Sequence, residues 1–550
     1  MEQKNKTASP SYLNNSIKNK KAAGHGGYNV VQTTLTADVV TRLKSYSLQQ
    51  YIEDIKILGL AKTWDQICAY ILENHTNLPD FLNIDNFSDL YETGVETQSK
   101  ISKKKQGQYS TPDDVAAVMS KWFYQCEGEA VCDVACGAGK LILTYFDVIG
   151  YENARNLIRS GRVYLYDCDS VALKICSTVI AVKYGADIAE HIHSTVCDFL
   201  DADVVLPANC KVISNPPYAK IDTVKKSWEH SAVLSDTKEM YSAFMEKIFN
   251  QATSTVIITP FSFVSGDKFF SLREQMSRVG HGFIISFDNV PGNIFCGKKH
   301  GIFNTNTANS VRASVTVMKK SGGLKGYRVS PLIRFKNEER AQLLNPTVLE
   351  STLPDNLQTV DTGNKKFEKI EKDLIEIFQN WKDKSDFKVQ DILTGRNTKY
   401  FIDMPNTCRY YTTASSRKLS RKGSITMNLL SEDDFNLLYC VINSSFAYWW
   451  WRVYDGAITY PVSLLNSMPL PINLLSDDDK VFFRKTAKKL MASEKKYIVT
   501  KMNAGTVQEN IKFPQKYREA INKRLLGILG FDSDGCTLNK IHKNSFFDKN

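Results

Sequence analysis

Several things are scarce in this sequence, and each scarcity narrows what the chain can be. Its 12 cysteines never stand in a C-x-x-C pair. Zinc-ribbon and dithiol redox spacing are therefore missing, and no metal site is expected. No apolar run is long enough to cross a bilayer, and no apolar secretory stretch opens the chain, which begins polar and rich in Lys and Asn. The expectation is a cytoplasmic protein with reduced thiols and no membrane partner. Internal repeats are absent, and low-complexity sequence is confined to the first residues.

What is present suits a globular chain in several pieces. At 550 residues, roughly two to four domains are expected. A hydrophobic share of 43%, with 11% aromatic residues, is enough for real cores. Lys and Arg number 70 against 59 for Asp and Glu, a net charge of +11. That excess fits a polyanionic partner, and it equally fits solvated basic faces.

Residues 1–28 read as a tail. Residues 29–105 read as a helical domain, with helical spacing of Val39, Leu43, Leu48, Tyr51, Ile52, Ile55 and Leu58, then of Trp64, Ile67, Cys68, Ile71 and Leu72. Residues 106–335 alternate β-prone and helical runs, the pattern of a parallel α/β sheet. Strands are expected at Ala130–Val134, Val163–Tyr166, Lys211–Ser214, Thr255–Thr259, Phe283–Phe287 and Ala313–Met318. Helices are expected to start near Pro112, Ser170, Glu239 and Gly266. Residues 336–385 form a helical connector carrying a charged amphipathic helix over Asn364–Lys382, and 386–550 form a last, mixed α/β domain.

The sharpest motif is Asn215-Pro216-Pro217-Tyr218, directly after Val212-Ile213. It falls where a strand of an open α/β sheet ends, the edge at which such sheets bind ligands. The Asn215 side-chain oxygen and the Pro216 carbonyl can accept both N–H groups of a conjugated amine, turning its lone pair outward. Two prolines fix the acceptors in place, and Tyr218 can stack on a planar ring. A plain strand-end turn is the competing reading.

A second motif, Asp133-Val-Ala-Cys-Gly-Ala-Gly139, follows the first strand. Its glycines allow close backbone approach to a ligand, although ordinary βα turns use glycine too. It is neither G-x-G-x-x-G nor a nucleotide-triphosphate loop. Asp167, in Tyr166-Asp167-Cys168-Asp169, ends the next strand and can accept ribose hydroxyls, while Asp169 can instead cap the following helix. Asp198 can accept from an adenine amine, with Phe199 packing the ring. Gln108-Tyr109-Ser110-Thr111-Pro112 reads most simply as a helix start with Thr111 as N-cap. Taken singly these signals are modest. Together they fall at successive strand edges of one sheet, which points to a single crevice.

In order and spacing these residues resemble the gamma class of DNA adenine-N6 methyltransferases, over about Gln106 to Asn550. The resemblance implies a Rossmann-like class I methyltransferase sheet, S-adenosylmethionine as cofactor and double-stranded DNA as partner. It also implies that the target adenine is flipped out of the duplex. Asn215, Pro216, Pro217 and Tyr218 would be catalytic. Tyr109, Ser110, Thr111, Asp133, Ala135, Gly137, Asp167, Cys168, Asp198, Phe199 and Asn215 would border the cofactor. Phe295 would join Tyr218 in the base pocket, and a packed-core role for Phe295 is the even alternative. Leu393-Thr-Gly-Arg396-Asn397 matches the entry to a target-recognition domain. The aromatic run Phe446, Tyr448, Trp449, Trp450 and Trp451 is expected to be core. Lys298, Lys299, Arg396, Arg417, Lys418, Arg421 and Lys422 are candidate DNA contacts.

The same residues leave rivals open: RNA adenine, cytosine N4 or protein glutamine as acceptor, a modification subunit served by a separate specificity subunit, or a non-catalytic DNA-binding subunit. No Pro-Cys dipeptide occurs, which counts against C5-cytosine chemistry and its nucleophilic Cys. A monomer associated with the nucleoid, working beside a restriction endonuclease in a restriction–modification system, is the expected setting.

Overall fold

The computed structural model describes residues 64–78, 84, 87, 88, 91, 109–296, 311–361, 363, 365–408, 410–503 and 505–547. The expected tail, the apolar run from Val39 to Leu58, and Gln108, Lys298 and Lys299 lie outside the described residues. Among the described residues no helix is long and apolar enough to cross a membrane.

An eight-stranded sheet dominates the chain, in the order β3-β2-β1-β4-β5-β7-β6-β8. Its strands are β1 Ala130–Val134, β2 Val163–Asp167, β3 His193–Val196, β4 Cys210–Ser214, β5 Ser254–Pro260, β6 His281–Phe287, β7 Ala313–Lys319 and β8 Gly326–Ile333. The expected strands are all present, but the sheet is not purely parallel: β7 runs antiparallel to both β5 and β6. Strands β1, β4 and β5 are buried almost throughout, which explains why they read as continuous apolar runs rather than alternating ones. With its reversal at β7, this is the expected Rossmann-like α/β sheet. Two strands carry no clear sequence pattern. Strand β3 is exposed along its whole length, and β8 follows the reversed β7.

Helices cover both faces. They include α1 Trp64–Asn74, α2 Asp113–Tyr124, α3 Lys140–Ile149, α4 Ser170–Tyr184, α5 Met240–Gln251 and α6 Phe270–Val279. One face packs α2 and α3 through Val115, Met119, Trp122, Phe123, Ile142 and Phe146. The other packs α5 and α6 through Phe244, Ile248, Leu272 and Met276. Ile67, Cys68 and Ile71 of α1 lie on Ala172, Ile175 and Val179 of α4, so α1 extends this layered body.

The connector differs from expectation. Its helix, α7, spans Ile375–Lys384, and residues 365–371 run without helix. The last region holds α8 Glu432–Ile442, α9 Phe446–Tyr454, α10 Asp477–Tyr497 and α11 Gln515–Ile528, a small antiparallel pair β9 Tyr400–Pro405 with β10 Ser424–Leu429, and a hairpin of β11 Ile498–Asn503 with β12 Thr506–Ile511. The aromatic run of α9 is core, as expected: Phe446, Tyr448, Trp449 and Trp451 are almost wholly enclosed.

The two bodies meet through a buried ion cluster. Asp288, just past β6, accepts from Arg312 Nε at 2.8 Å and from Arg452 Nη1 of α9 at 2.9 Å. Burial opposes charge on Asp288, but Arg452, Arg312 and Arg334 hold its carboxyl below the usual range. The chain also returns from the last region. Glu339 accepts from the Ser545 hydroxyl and from the Phe546 and Phe547 N–H groups.

Candidate active site

Three parallel strands end side by side, and their C-terminal edges carry the motifs. Strand β1 runs into the glycine turn, β2 ends in Asp167, and β4 runs into Asn215. The turn needs left-handed backbone, with φ of 59° at Ala135, 54° at Gly137 and 90° at Gly139. For Ala135 that conformation is strained, a feature that clusters at functional sites. A side chain at Gly139 would meet Cys176 Sγ at 2.4 Å, whereas among the described residues nothing lies within 4 Å of a Cβ at Gly137. The turn is therefore packed below Gly139 and open above Gly137.

Asp167 pins this turn. Its Oδ2 accepts from Gly137 N at 2.7 Å and its Oδ1 from Asp169 N at 2.8 Å. Asp169 caps α4 through Val171 N and Ala172 N, so its carboxylate serves the helix. Asp133 is fully enclosed: Oδ2 accepts from Ile142 N at 3.1 Å, and Oδ1 has no partner among the described residues. Burial, together with the nearby Asp167, pushes the Asp133 carboxyl well up. Cys168 is exposed beside them at the end of β2.

Asn215 is oriented from behind. Its Nδ2 donates to the Tyr109 carbonyl at 2.6 Å and to Thr111 Oγ1 at 2.9 Å. A carbonyl can only accept, so the amide has one orientation, and Oδ1 must point the other way. Thr111 thus serves Asn215 and is not the cap of α2, whose N-cap is Pro112 without a side-chain bond. The Pro216 carbonyl takes no hydrogen bond among the described residues. Ser110 is half-buried between Tyr109 and Thr111.

Three rings pack against one another beside Oδ1. Tyr109 stacks on Tyr218 with centroids 4.9 Å apart, and Phe295 lies 5.6 Å from Tyr109 and 5.9 Å from Tyr218. The motifs holding these rings are far apart in sequence, and the fold unites them into one cage. The Tyr218 hydroxyl donates to Asn215 Oδ1, and burial raises its pKa.

The next strand, β3, ends beside β2 and carries two more of the expected residues. Phe199 is 3% exposed and packs in the core, 5.2 Å from Phe244 and 6.1 Å from Tyr166. Asp198 is already engaged, with Oδ2 accepting from Lys225 Nζ at 2.5 Å and Trp228 Nε1 at 3.0 Å. These two partners come from the loop beyond Tyr218, and no motif marks them. Arg421 is buried against Asp403 and bonded to Asn510, so its guanidinium is not available to DNA. Arg417 pairs with the enclosed Glu494 at 3.2 Å. Arg396, Lys418 and Lys422 are exposed.

A family model for N-6 DNA methylases matches residues 82–306. The chain is similar to the type I restriction enzyme MpnII methylase subunit of Mycoplasma pneumoniae, 21% identical over 298 residues, covering 49% of this chain and 50% of that protein. It therefore spans about half the length of this curated relative. Among solved structures it is similar to a nuclease-deletion mutant of the Type ISP restriction–modification enzyme LlaGI in complex with a DNA substrate mimic, with TM-score 0.44, 11% identity, and 83% of this chain and 61% of that one covered. It is also similar to a type I restriction–modification methyltransferase subunit from Streptococcus thermophilus, with TM-score 0.35, 13% identity, and 64% and 80% covered.

Proposed function

We propose that the chain is a site-specific DNA methyltransferase that methylates the N6 amine of adenine and uses S-adenosylmethionine. The observation that carries this reading is the forced orientation of Asn215. Its amide nitrogen is spent on Tyr109 and Thr111, so its oxygen faces a cage of three aromatic rings at the end of β4. The match to N-6 DNA methylases over residues 82–306 supports the same acceptor.

The residues at the glycine turn fit the cofactor. Asp133 Oδ1 is a buried acceptor without a donor among the described residues, suited to an ammonium. The space above Gly137 is open, and Asp167 stands at the end of β2, where a ribose can be held. When bound, S-adenosylmethionine supplies an electrophilic methyl group on a sulfonium. The chain's own part is to bind and orient. Asn215 Oδ1 and the Pro216 carbonyl accept the two N–H groups of the amine. That grip draws the nitrogen toward sp3 geometry and directs its lone pair toward the glycine turn. Tyr109, Tyr218 and Phe295 hold the extruded base by stacking, offsetting the few kcal/mol of unstacking. Residues 386–550 would serve as the target-recognition domain, with Arg396, Lys418 and Lys422 as its exposed cations.

The test is tritiated cofactor offered to duplex DNA, RNA and protein. Label on adenine N6 of the duplex is expected, and Asn215→Ala should abolish it while cofactor binding in calorimetry persists. Label on cytosine N4, RNA or protein glutamine, or full activity of Asn215→Ala, would overturn the reading.

A further inference from the structure

Arg340 stands far in sequence from every motif above, yet it holds two of them. It opens the short helix Arg340–Leu343 and is 7% exposed. Its guanidinium grips the Asp114 carboxylate twice, Nε to Oδ2 at 2.6 Å and Nη2 to Oδ1 at 2.9 Å. The same group donates from Nη1 to the Asn293 carbonyl at 2.9 Å and from Nη2 to the Ile294 carbonyl at 2.6 Å. Asp114 lies in the first turn of α2, just past the Tyr109 and Thr111 groups that orient Asn215. Ile294 directly precedes Phe295.

We propose that Arg340 is a positioning residue for the aromatic cage, fixing Tyr109 and Phe295 relative to each other from behind. Only the identity of the ring entering the cage rests on the adenine-methyltransferase reading. The chemistry selects Arg. One planar group presents several donors in fixed directions, so it can satisfy a carboxylate and two carbonyls together. A Lys ammonium is a point charge on a flexible stem and cannot span the same four hydrogen bonds. Arg340 itself is braced: its neighbour Glu339 accepts from Ser545, Phe546 and Phe547. Trp122 of α2 also donates to Glu350 at 2.6 Å, so this segment is tied to α2 at a second point.

A displacement of about 1 Å at a reacting pair can cost about 100-fold in rate, so loosening the clamp should act on turnover more than on cofactor capture. The experiment compares full-length wild type with Arg340→Lys and with Asp114→Asn, which keeps the side-chain shape if the first variant folds poorly. Three quantities are read: hydrogen exchange of peptides covering residues 109–116 and 289–296, cofactor affinity by calorimetry, and steady-state kinetics on duplex DNA. The expected result is faster exchange in both peptides together, near-normal cofactor affinity and kcat lowered by about 100-fold. Unchanged exchange and kcat in a folded variant would overturn the clamp. So would faster exchange spread evenly over the sheet, with kcat recovering in the cold, because that marks a purely structural role. If wild type binds cofactor but methylates no duplex, the proposed substrate is wrong, and the paired exchange response still decides the clamp.

Discussion

The Tyr218 hydroxyl donates to Asn215 Oδ1 at 2.8 Å. The acceptor turned into the cage is therefore already engaged by the protein's own hydroxyl, and an incoming amine must take its place. The competing bond is removable without removing the ring.

Tyr218→Phe should accordingly keep kcat near wild type and lower KM for the duplex. Removing the competitor is worth about 1 kcal/mol, or about fivefold. Tyr218→Ala removes the stacking face, worth about 1–3 kcal/mol for a base, and should raise KM instead. Steady-state kinetics on one oligonucleotide duplex distinguish the two. An increase in KM for both variants would mean that the hydroxyl helps the base rather than competing with it.

The two ends of the glycine turn should respond differently to the same added methyl group. Gly139→Ala drives a Cβ into Cys176 Sγ and should yield a protein that melts early or fails to fold. Gly137→Ala meets nothing within 4 Å among the described residues, so left-handed backbone strain of about 1–2 kcal/mol is what opposes it. That variant should fold and bind cofactor weakly, because its methyl projects into the open side of the turn. Thermal melting with and without S-adenosylmethionine checks both.

The basic loop at residues 417–422 holds cations of two kinds. Lys418 and Lys422 are exposed. Replacing both with Ala should flatten the log–log salt dependence of DNA binding by about 0.9 for each phosphate that is no longer neutralised. Arg421 is buried against Asp403, and Arg421→Ala should destabilise the domain by about 3–5 kcal/mol, since it strands a buried carboxylate. Fluorescence anisotropy across a salt series, beside urea melts, separates these outcomes.

His542 makes stability depend on pH. Burial, with Arg334 and Arg452 nearby, pushes its pKa from 6.5 down to about 3, and its Nδ1 meets the Tyr448 hydroxyl at 2.5 Å. A depressed folded-state pKa means that the unfolded chain takes up the proton first. The stability this group contributes is whole above 6.5 and is lost as pH falls toward about 3. At about 1.4 kcal/mol per pH unit, wild type should lose about 2 kcal/mol more than His542→Gln between pH 6.5 and pH 5. Urea melts at the two pH values measure the difference, and parallel losses would refute it.

The sheet is legible in the sequence because β1, β4 and β5 are buried on both faces and so spell unbroken apolar runs. Strand β3 is not, because an edge strand exposed along its length carries no such pattern. Asn215 and the glycine turn can be read because their residue types are rare in that order. Thr111 reads wrongly as a cap because capping is the local use of a threonine before proline, and its real partner, Asn215, lies a long way along the chain. Arg421 and Arg340 show the same limit. A basic residue outside any motif reads as solvent-facing until the fold brings Asp403 or Asp114 to it, and no local pattern announces that meeting.

The strap from Ser545–Phe547 to Glu339 has a mechanical consequence. The polypeptide crosses between the two bodies on the way out, through residues 365–371, and crosses again on the way back. Two crossings define an axis, so the C-terminal body cannot swivel freely as it could on one flexible tether. Parting the two bodies would therefore have to release Asp288 from Arg452 as well as Glu339 from its three donors. A cut or a bulky fusion at that returning segment would therefore change how the halves open, while leaving the fold of each half intact.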